Sequence, residues 1–250
     1  MAGVSLYQNL RLFTGNVATV GIDYQHFGGR AWNRYPATDT REELVDKTLN
    51  DIAGYVDLRQ DIGRLVTLDA GVRFDHNSHV GNEWIPQGGL SLHLPRLMEL
   101  KATVAKGFRN PTLREMYMFP PQNPDLQPER VVNYEIAFSQ RFPQQRLSYG
   151  LNLFYLHGNN LIQTVRVPNG MLNINTGEVD NAGIEVEAGW QISPSWNVAV
   201  QYSWLHMKRP ILASPEHKAC ASISYSSRRW SVSSDWQYVH GLYTALDSQQ

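Results

Sequence analysis

Across most of its length this chain alternates with period two, and one of the resulting faces is apolar while the other is too charged for a packed core. From Leu65 to His76, Val66, Leu68, Ala70, Val72 and Phe74 fall on one side, and Thr67, Asp69, Gly71, Arg73 and Asp75 on the other. Its partner, Ile52 to Gln60, reaches it through Asp61-Ile62-Gly63-Arg64 and sets Val56 and Leu58 against Tyr55, Asp57 and Arg59. Such a hairpin separates two different media.

The same writing recurs in Val4 to Phe13 and Val17 to His26 across Thr14-Gly15-Asn16, and in Trp84 to Leu94 and Glu99 to Gly107 across Pro95-Arg96-Leu97. It continues in Arg130 to Phe142 and Leu147 to His157 across Pro143-Gln144-Gln145, with a smaller hairpin extending through Pro168-Asn169-Gly170. Ile184 to Trp190 and the strand from Trp196 to Trp204 turn at Ser193-Pro194-Ser195, and Ala219 to Tyr225 and Trp230 to His240 turn at Ser226 to Arg229. About twelve strands result, most near the roughly 9–11 residues that cross a bilayer when tilted. Connections alternate short and long. In an up-and-down sheet that gathers tight turns on one rim and long loops on the other, as in outer-membrane barrels; a Greek-key sandwich gives no reason for it. Trp84, Trp190, Trp196, Trp204, Trp230, Trp236, Tyr149, Tyr155, Tyr202, Tyr225 and Tyr238 mostly fall on the apolar face near strand ends, as interfacial girdles require.

Two segments depart from the rhythm. Phe27 to Lys47, with Gly28-Gly29, Trp32, Arg34, Tyr35 and Pro36, reads as an exposed polar loop, as does the shorter stretch from His76 to Asn82. In the other, Gly107-Phe108-Arg109-Asn110-Pro111 leads to Asn123-Pro124-Asp125-Leu126-Gln127-Pro128-Glu129, and five prolines from Pro111 to Pro128 remove backbone donors, so no ladder can pass. It is a loop between strands.

These two boxes resemble the C-terminal barrel region of TonB-dependent outer-membrane receptors, and Ala53 to Val56, Ala70 to Asp75, Asn175 to Gly177 and Asp180 to Glu185 sit where that family has similar segments. The resemblance implies an all-β, antiparallel up-and-down transmembrane β-barrel, present as a partial wall with the plug domain absent. Residues 1–250 would then be part of a barrel domain truncated at both ends. It further implies an outer-membrane, Gram-negative active-transport receptor, energised through TonB by way of the missing plug, for a scarce large solute or metal chelate. Haem receptors of the family typically carry a histidine between the boxes; Thr112 to Gln122 has none, so an iron-siderophore or cobalamin ranks above haem. Gly107, Phe108, Arg109, Pro111, Asn123, Pro124, Leu126, Pro128 and Glu129 are motif residues with an expected structural role, Arg109, Glu115 and Glu129 pinning the loop through ion pairs or backbone bonds.

Composition agrees. Charged residues make up 18% with a formal net charge of -1, and the mean hydropathy is -0.39, which argues against a disordered tail or a nucleic-acid partner. No apolar run approaches a membrane helix, which says nothing against a barrel. Met1 to Ser5 has no signal-peptide character, so an internal piece of a longer receptor is expected. Cys220 is a lone cysteine without a zinc pattern, and His76 and His79 lack further metal ligands. No nucleophile elbow and no phosphate cradle is present, so an enzyme, a metal site and a cofactor are not expected. A passive porin or adhesin barrel, and less so a barrel hydrolase, are the alternatives. Ligand contact is expected from loop residues with aromatic faces and polar tips: Trp32, Arg34, Tyr35, His76, His79, Tyr117 and Phe119.

Overall fold

The computed structural model describes residues 1–211 and 213–243; the expected loop beyond His240 lies, from 244 onward, outside them. Twelve strands form one sheet in chain order: β1 Ala2–Leu10, β2 Asn16–Tyr35, β3 Thr40–Ile62, β4 Val66–Asn77, β5 Gly81–Leu94, β6 Met98–Arg109, β7 Glu129–Phe142, β8 Leu147–Val167, β9 Gly170–Trp190, β10 Trp196–Met207, β11 Pro215–Ser226 and β12 Ser231–Leu242. Every neighbouring pair is antiparallel, and β1 and β12 are the two edges. The only α-helix among the described residues is α1, Leu113–Tyr117.

The register sets like against like. Val56 faces Val72 and Leu58 faces Ala70 on one surface, while Arg59 faces Asp69 on the other. Burial is inverted relative to a soluble protein. Thr67 and Asp75 keep only 3% and 6% of their surface, while Leu68, Val72, Ile136 and Val200 keep 42%, 41%, 53% and 46%. Left in water, each such side chain would forgo about 1.5–3 kcal/mol, and a dozen of them would exceed the roughly 5–15 kcal/mol that holds a domain together. The outward surface is therefore wetted by hydrocarbon, and the inward surface is polar and partnered within itself.

Inward charges pair across strands. Arg73 on β4 donates to Asp23 on β2 and, at 3.1 Å, to Asp75. Glu83 on β5 accepts from Lys106 and from Arg130 at 2.8 Å, and Gln87 donates to Asp57 at 2.6 Å. Aromatic residues flank the apolar band. Trp196 lies 4.9 Å from Tyr225 near the short-turn rim, and Phe74 lies 4.8 Å from Trp84 towards the opposite rim.

Tight turns occupy one rim. Gly15 turns β1 into β2 at φ 76°, where a Cβ would meet the Asp61 carbonyl oxygen at 2.5 Å. The opposite rim corrects the expectation of a loop from Phe27 to Lys47: β2 and β3 stay paired from Phe27↔Leu49 to Tyr35↔Thr40, with a bulge at Ala31/Trp32. Trp32, Arg34 and Tyr35 are therefore strand residues at the tip of a projecting hairpin. The apolar alternation ends there because water replaces hydrocarbon on the outer face, which leaves a ladder with a polar sequence. His76 likewise belongs to β4, since the Asn77 side chain accepts from the His79 and Val80 amides (2.8 and 3.1 Å) and closes the link to β5 in three residues. β8 and β9 project as a second long hairpin, as the segment through Pro168-Asn169-Gly170 suggests.

Two substitutions test the sidedness. Val72→Arg on the outward face should cost about 2–4 kcal/mol, and Gln201→Arg on the inward face should stay within about 0.5 kcal/mol. Denaturant titration of the protein folded in lipid vesicles reads both, and equal losses would contradict the assignment of faces.

Candidate functional site at the long-loop rim

The segment 110–128 between β6 and β7 is organised from its ends inward. Pro111 stops the strand, and Thr112 then caps α1: its Oγ1 accepts from the Glu115 amide (3.2 Å) while the Glu115 carboxylate accepts from the Thr112 amide (2.8 Å). This helix was legible only as Thr112-x-x-Glu115 after a proline, a signal the loop reading passed over. Arg109, the last residue of β6, donates through Nε to Glu129 Oε2 at 2.6 Å, at the start of β7, and through both terminal nitrogens to Glu115 at 2.9 Å. One guanidinium thus joins both ends of the loop to its helix. Glu129 Oε1 also accepts from the Ile162 amide at 2.7 Å, which adds β8. Burial disfavours the charged form of Glu115, but the bonds from Arg109 and Thr112 outweigh it and hold this carboxyl below its usual range. The bonds to Glu129 and Glu115 push Arg109 up from its ordinary value.

The capped helix turns Met116 and Tyr117 into an apolar cluster with Leu126, Val45 and Leu49; Phe27, Ala31, Leu113 and Ile162 pack around it. Met116 and Leu126 are 1% exposed. β3 stands three strands from β6 in the sheet, so this contact requires the segment to fold over the concave side of the wall. Polar bonds hold it there. Gln122 Nε2 donates to the Leu44 carbonyl at 3.1 Å; Asn123 Nδ2 donates to the Asn173 carbonyl, and Asn173 Nδ2 to the Glu115 carbonyl, both at 2.8 Å. Asn175 exchanges two 2.8 Å bonds with the backbone of Gln127. The Pro124 carbonyl oxygen lies 2.8 Å from His79 Nε2. The loop therefore bridges the β2–β3 hairpin, the β4–β5 turn and the β8–β9 hairpin.

The expected ligand residues separate into four groups. His79 and Tyr117 come together, ring centroids 6.4 Å apart, with Lys47 Nζ 4.7 Å from the Tyr117 ring centre. Tyr117 is buried, and its hydroxyl has no hydrogen-bond partner among the described residues. Phe119 is exposed beneath the Arg114 guanidinium at 5.3 Å. Trp32, Arg34 and Tyr35 are engaged within their own hairpin, by Arg41 over the Trp32 ring at 4.2 Å, Asp39 at 3.0 Å and Glu42 at 2.7 Å. His76 lies apart on the outward face, bonded to Asn82 at 2.6 Å. Lys47, Gln122, Asn173 and Asn175 were missed; of these only Asn175, in Asn175-Thr176-Gly177, had a signal. Among the described residues no three His, Cys, Asp or Glu side chains are placed to hold a metal ion.

Comparison with known proteins places these features. Residues 3–249 match the family model described as "TonB dependent receptor-like, beta-barrel". The chain is 26% identical to an iron-regulated outer membrane virulence protein of Vibrio cholerae over a 227-residue alignment covering 74% of this chain and 35% of the relative. It is 24% identical to the vitamin B12 transporter BtuB of Photobacterium profundum over 217 residues, 82% of this chain and 35% of the relative. The chain thus spans about a third of the length of these curated relatives. Among solved structures, the siderophore receptor PirA from Pseudomonas aeruginosa superposes with a TM-score of 0.80 at 19% identity, over 96% of this chain and 48% of that one. The copper transporter OprC gives 0.78 at 17% identity, over 95% and 42%.

Arg109→Met should loosen the loop by about 1–2 kcal/mol, allowing for the exposed side of the guanidinium, and so raise hydrogen exchange of 113–117 about 5- to 30-fold. A lowered Glu115 pKa stabilises the loop above the ordinary carboxylate range and ceases to do so as pH falls through the lowered value. Exchange of 113–117, corrected for intrinsic rate, should therefore be flat from about pH 8 to pH 5 and rise only below about pH 4; a rise near neutrality would contradict the Arg109–Glu115 account.

Proposed function

Because the chain belongs to the TonB-dependent receptor β-barrel family, we propose that it supplies part of the wall and the outward loops of an outer-membrane receptor that takes up a scarce, large solute in a Gram-negative bacterium. The observation that carries this reading is the loop 110–128 folded over the concave side of a polar wall and tied to three other rim elements. Residues 1–250 serve as one portion of a barrel domain whose remaining strands and plug lie in other sequence. TonB acts through that plug, and outer-membrane lipid covers the apolar face.

An iron-siderophore or a corrinoid suits the site better than haem. The interval 112–122 lacks histidine, and His79, the imidazole the fold brings beside it, has its Nε2 engaged by the Pro124 carbonyl. The names of the similar proteins, an iron-regulated protein, a vitamin B12 transporter and a siderophore receptor, point the same way. Contact residues on this reading are Trp32, Arg34, Tyr35, His79, Tyr117 and Phe119. His76 faces lipid.

Titration of the complete receptor with a ferric siderophore, cyanocobalamin and haem discriminates these solutes. One of the first two should bind at sub-micromolar concentration, and Trp32→Ala and Phe119→Ala should each weaken it about tenfold. Tight haem binding with neither of the others would reverse the ranking, and no binding of any of them would favour a passive barrel.

A further inference from the structure

The short-turn rim carries arginine at nearly every turn. Arg11 stands between β1 and β2, Arg64 between β3 and β4, Arg96 between β5 and β6, Arg146 between β7 and β8, and Arg228 and Arg229 between β11 and β12; the β9–β10 turn has none. All are exposed. Their guanidinium groups have no ion-pair, hydrogen-bond or aromatic partner among the described residues, whereas Arg30, Arg34, Arg109 and Arg209 at the opposite rim each pair with a carboxylate. Asp61 and Glu99, the carboxylates closest to them in sequence, are turned elsewhere, Asp61 to Thr67 and Arg59 and Glu99 to His93. The chain as a whole has a net charge of -1, so this rim concentrates one sign of charge that the rest of the molecule offsets.

Backbone geometry makes a second, independent point. In the β1–β2 and β3–β4 turns the left-handed position is filled by Gly15 at φ 76° and Gly63 at φ 61°. In the next two turns arginine fills it: Arg96 at φ 63°, followed by Leu97 at 56°, and Arg146 at 52°. A Cβ disfavours this region, and glycine or asparagine is its ordinary occupant. Two arginines held against their backbone preference, with side chains that touch nothing in the protein, point to a group outside it.

We propose that the short-turn rim is a docking strip for an acidic polypeptide in the periplasm, whose carboxylates pair with the arginines of successive turns. The inference rests on the outer-membrane placement above, which puts short turns in the periplasm, but not on the identity of the transported solute. A guanidinium presents a planar fork that a carboxylate accepts bidentately, and it stays charged at any working pH. Neighbouring short turns are two strands apart, about 12 Å along a rim whose strands tilt near 40°. About four residues of extended chain cover that distance, so an extended segment with recurring Asp or Glu meets one turn after another. Membrane lipid fits the rim less well. Arg141, also without a partner among the described residues, stands opposite Ser148 on the inward face, away from lipid. The outward face at this height is filled by stacked aromatic pairs, Phe142 with Tyr149 at 6.1 Å and Trp196 with Tyr225 at 4.9 Å.

The test is fluorescence anisotropy of the complete receptor in phosphatidylcholine nanodiscs, titrated into a labelled peptide of about 16 residues with glutamate at every fourth position, or into its glutamine counterpart. The glutamate peptide should bind at least about tenfold more tightly than the glutamine one and be released as salt rises. Arg64→Gln/Arg96→Gln/Arg146→Gln/Arg228→Gln should lose that preference while keeping heat-modifiable migration, and Arg166→Gln/Arg209→Gln at the opposite rim should keep it. Arg96→Gly/Arg146→Gly separates binding from folding: its denaturant midpoint should be no lower than that of the parent, and its hold on the glutamate peptide about tenfold weaker. No binding of the glutamate peptide, equal binding of both peptides, or a glycine variant that is destabilised yet binds normally would each overturn the strip. Loss of peptide binding when phosphatidylglycerol replaces phosphatidylcholine would assign the arginines to head groups instead and overturn it as well. Failure of the uptake reading would appear separately, as absent solute binding with peptide binding intact.

Discussion

The structure depends on one constraint: hydrocarbon offers no hydrogen bonds. A backbone amide facing a bilayer must find its partner within the wall, and the continuous ladder from β1 to β12 meets that demand at each strand junction. Once the ladder is continuous, side chains alternate between two solvents, and the charged half has only the inner surface to occupy. Its members then answer one another, Arg73 between Asp23 and Asp75 and Glu83 between Lys106 and Arg130. The wall has little apolar core of its own. Its largest fully buried side chains, Met116 and Leu126, belong to the loop above it.

That loop meets the same demand by other means. Prolines forbid a ladder between Pro111 and Pro128, so its carbonyls and amides are satisfied by side chains: Gln122, Asn123, Asn173 and Asn175 act as substitute strands. The arrangement couples distant parts of the rim. A solute that displaced 110–128 would disturb the β2–β3 and β8–β9 hairpins together, since each contributes side chains or backbone to the same small cluster.

Legibility in the sequence followed the solvent boundary. Where lipid and water wet opposite faces, as along β4 or β10, alternation gave strand, face and turn directly. Above the band both faces meet water or protein, the two-letter pattern disappears, and the paired strands from Phe27 to Lys47 looked like a loop. The candidate site lies in that region. Arg109, Glu115 and Glu129 were identifiable as a structural hub because motif and charge agreed, but the meeting of His79 with Tyr117 could not be read, because it depends on how far a loop reaches across strands that are distant in sequence. His76 was misplaced for a related reason, since the turn after it is closed by one asparagine side chain in fewer residues than its polar composition suggested.

The height of the bilayer is recorded twice along the same strands, independently. On β2 and β8 the outward apolar series ends at His26 and His157, and just beyond His157 the β7–β8 ladder stops at Arg130↔Asn159 while β8 and β9 continue as a hairpin to Val167. β3 keeps its bond to β4 only up to Asp51↔Asn77, beside the Asn50 that holds His26. A membrane boundary explains why side-chain chemistry and strand pairing change together, for below it a strand without a neighbour on either side would expose unpaired amides to lipid, and above it water satisfies them. The histidines and the roots of the hairpins thus mark one plane.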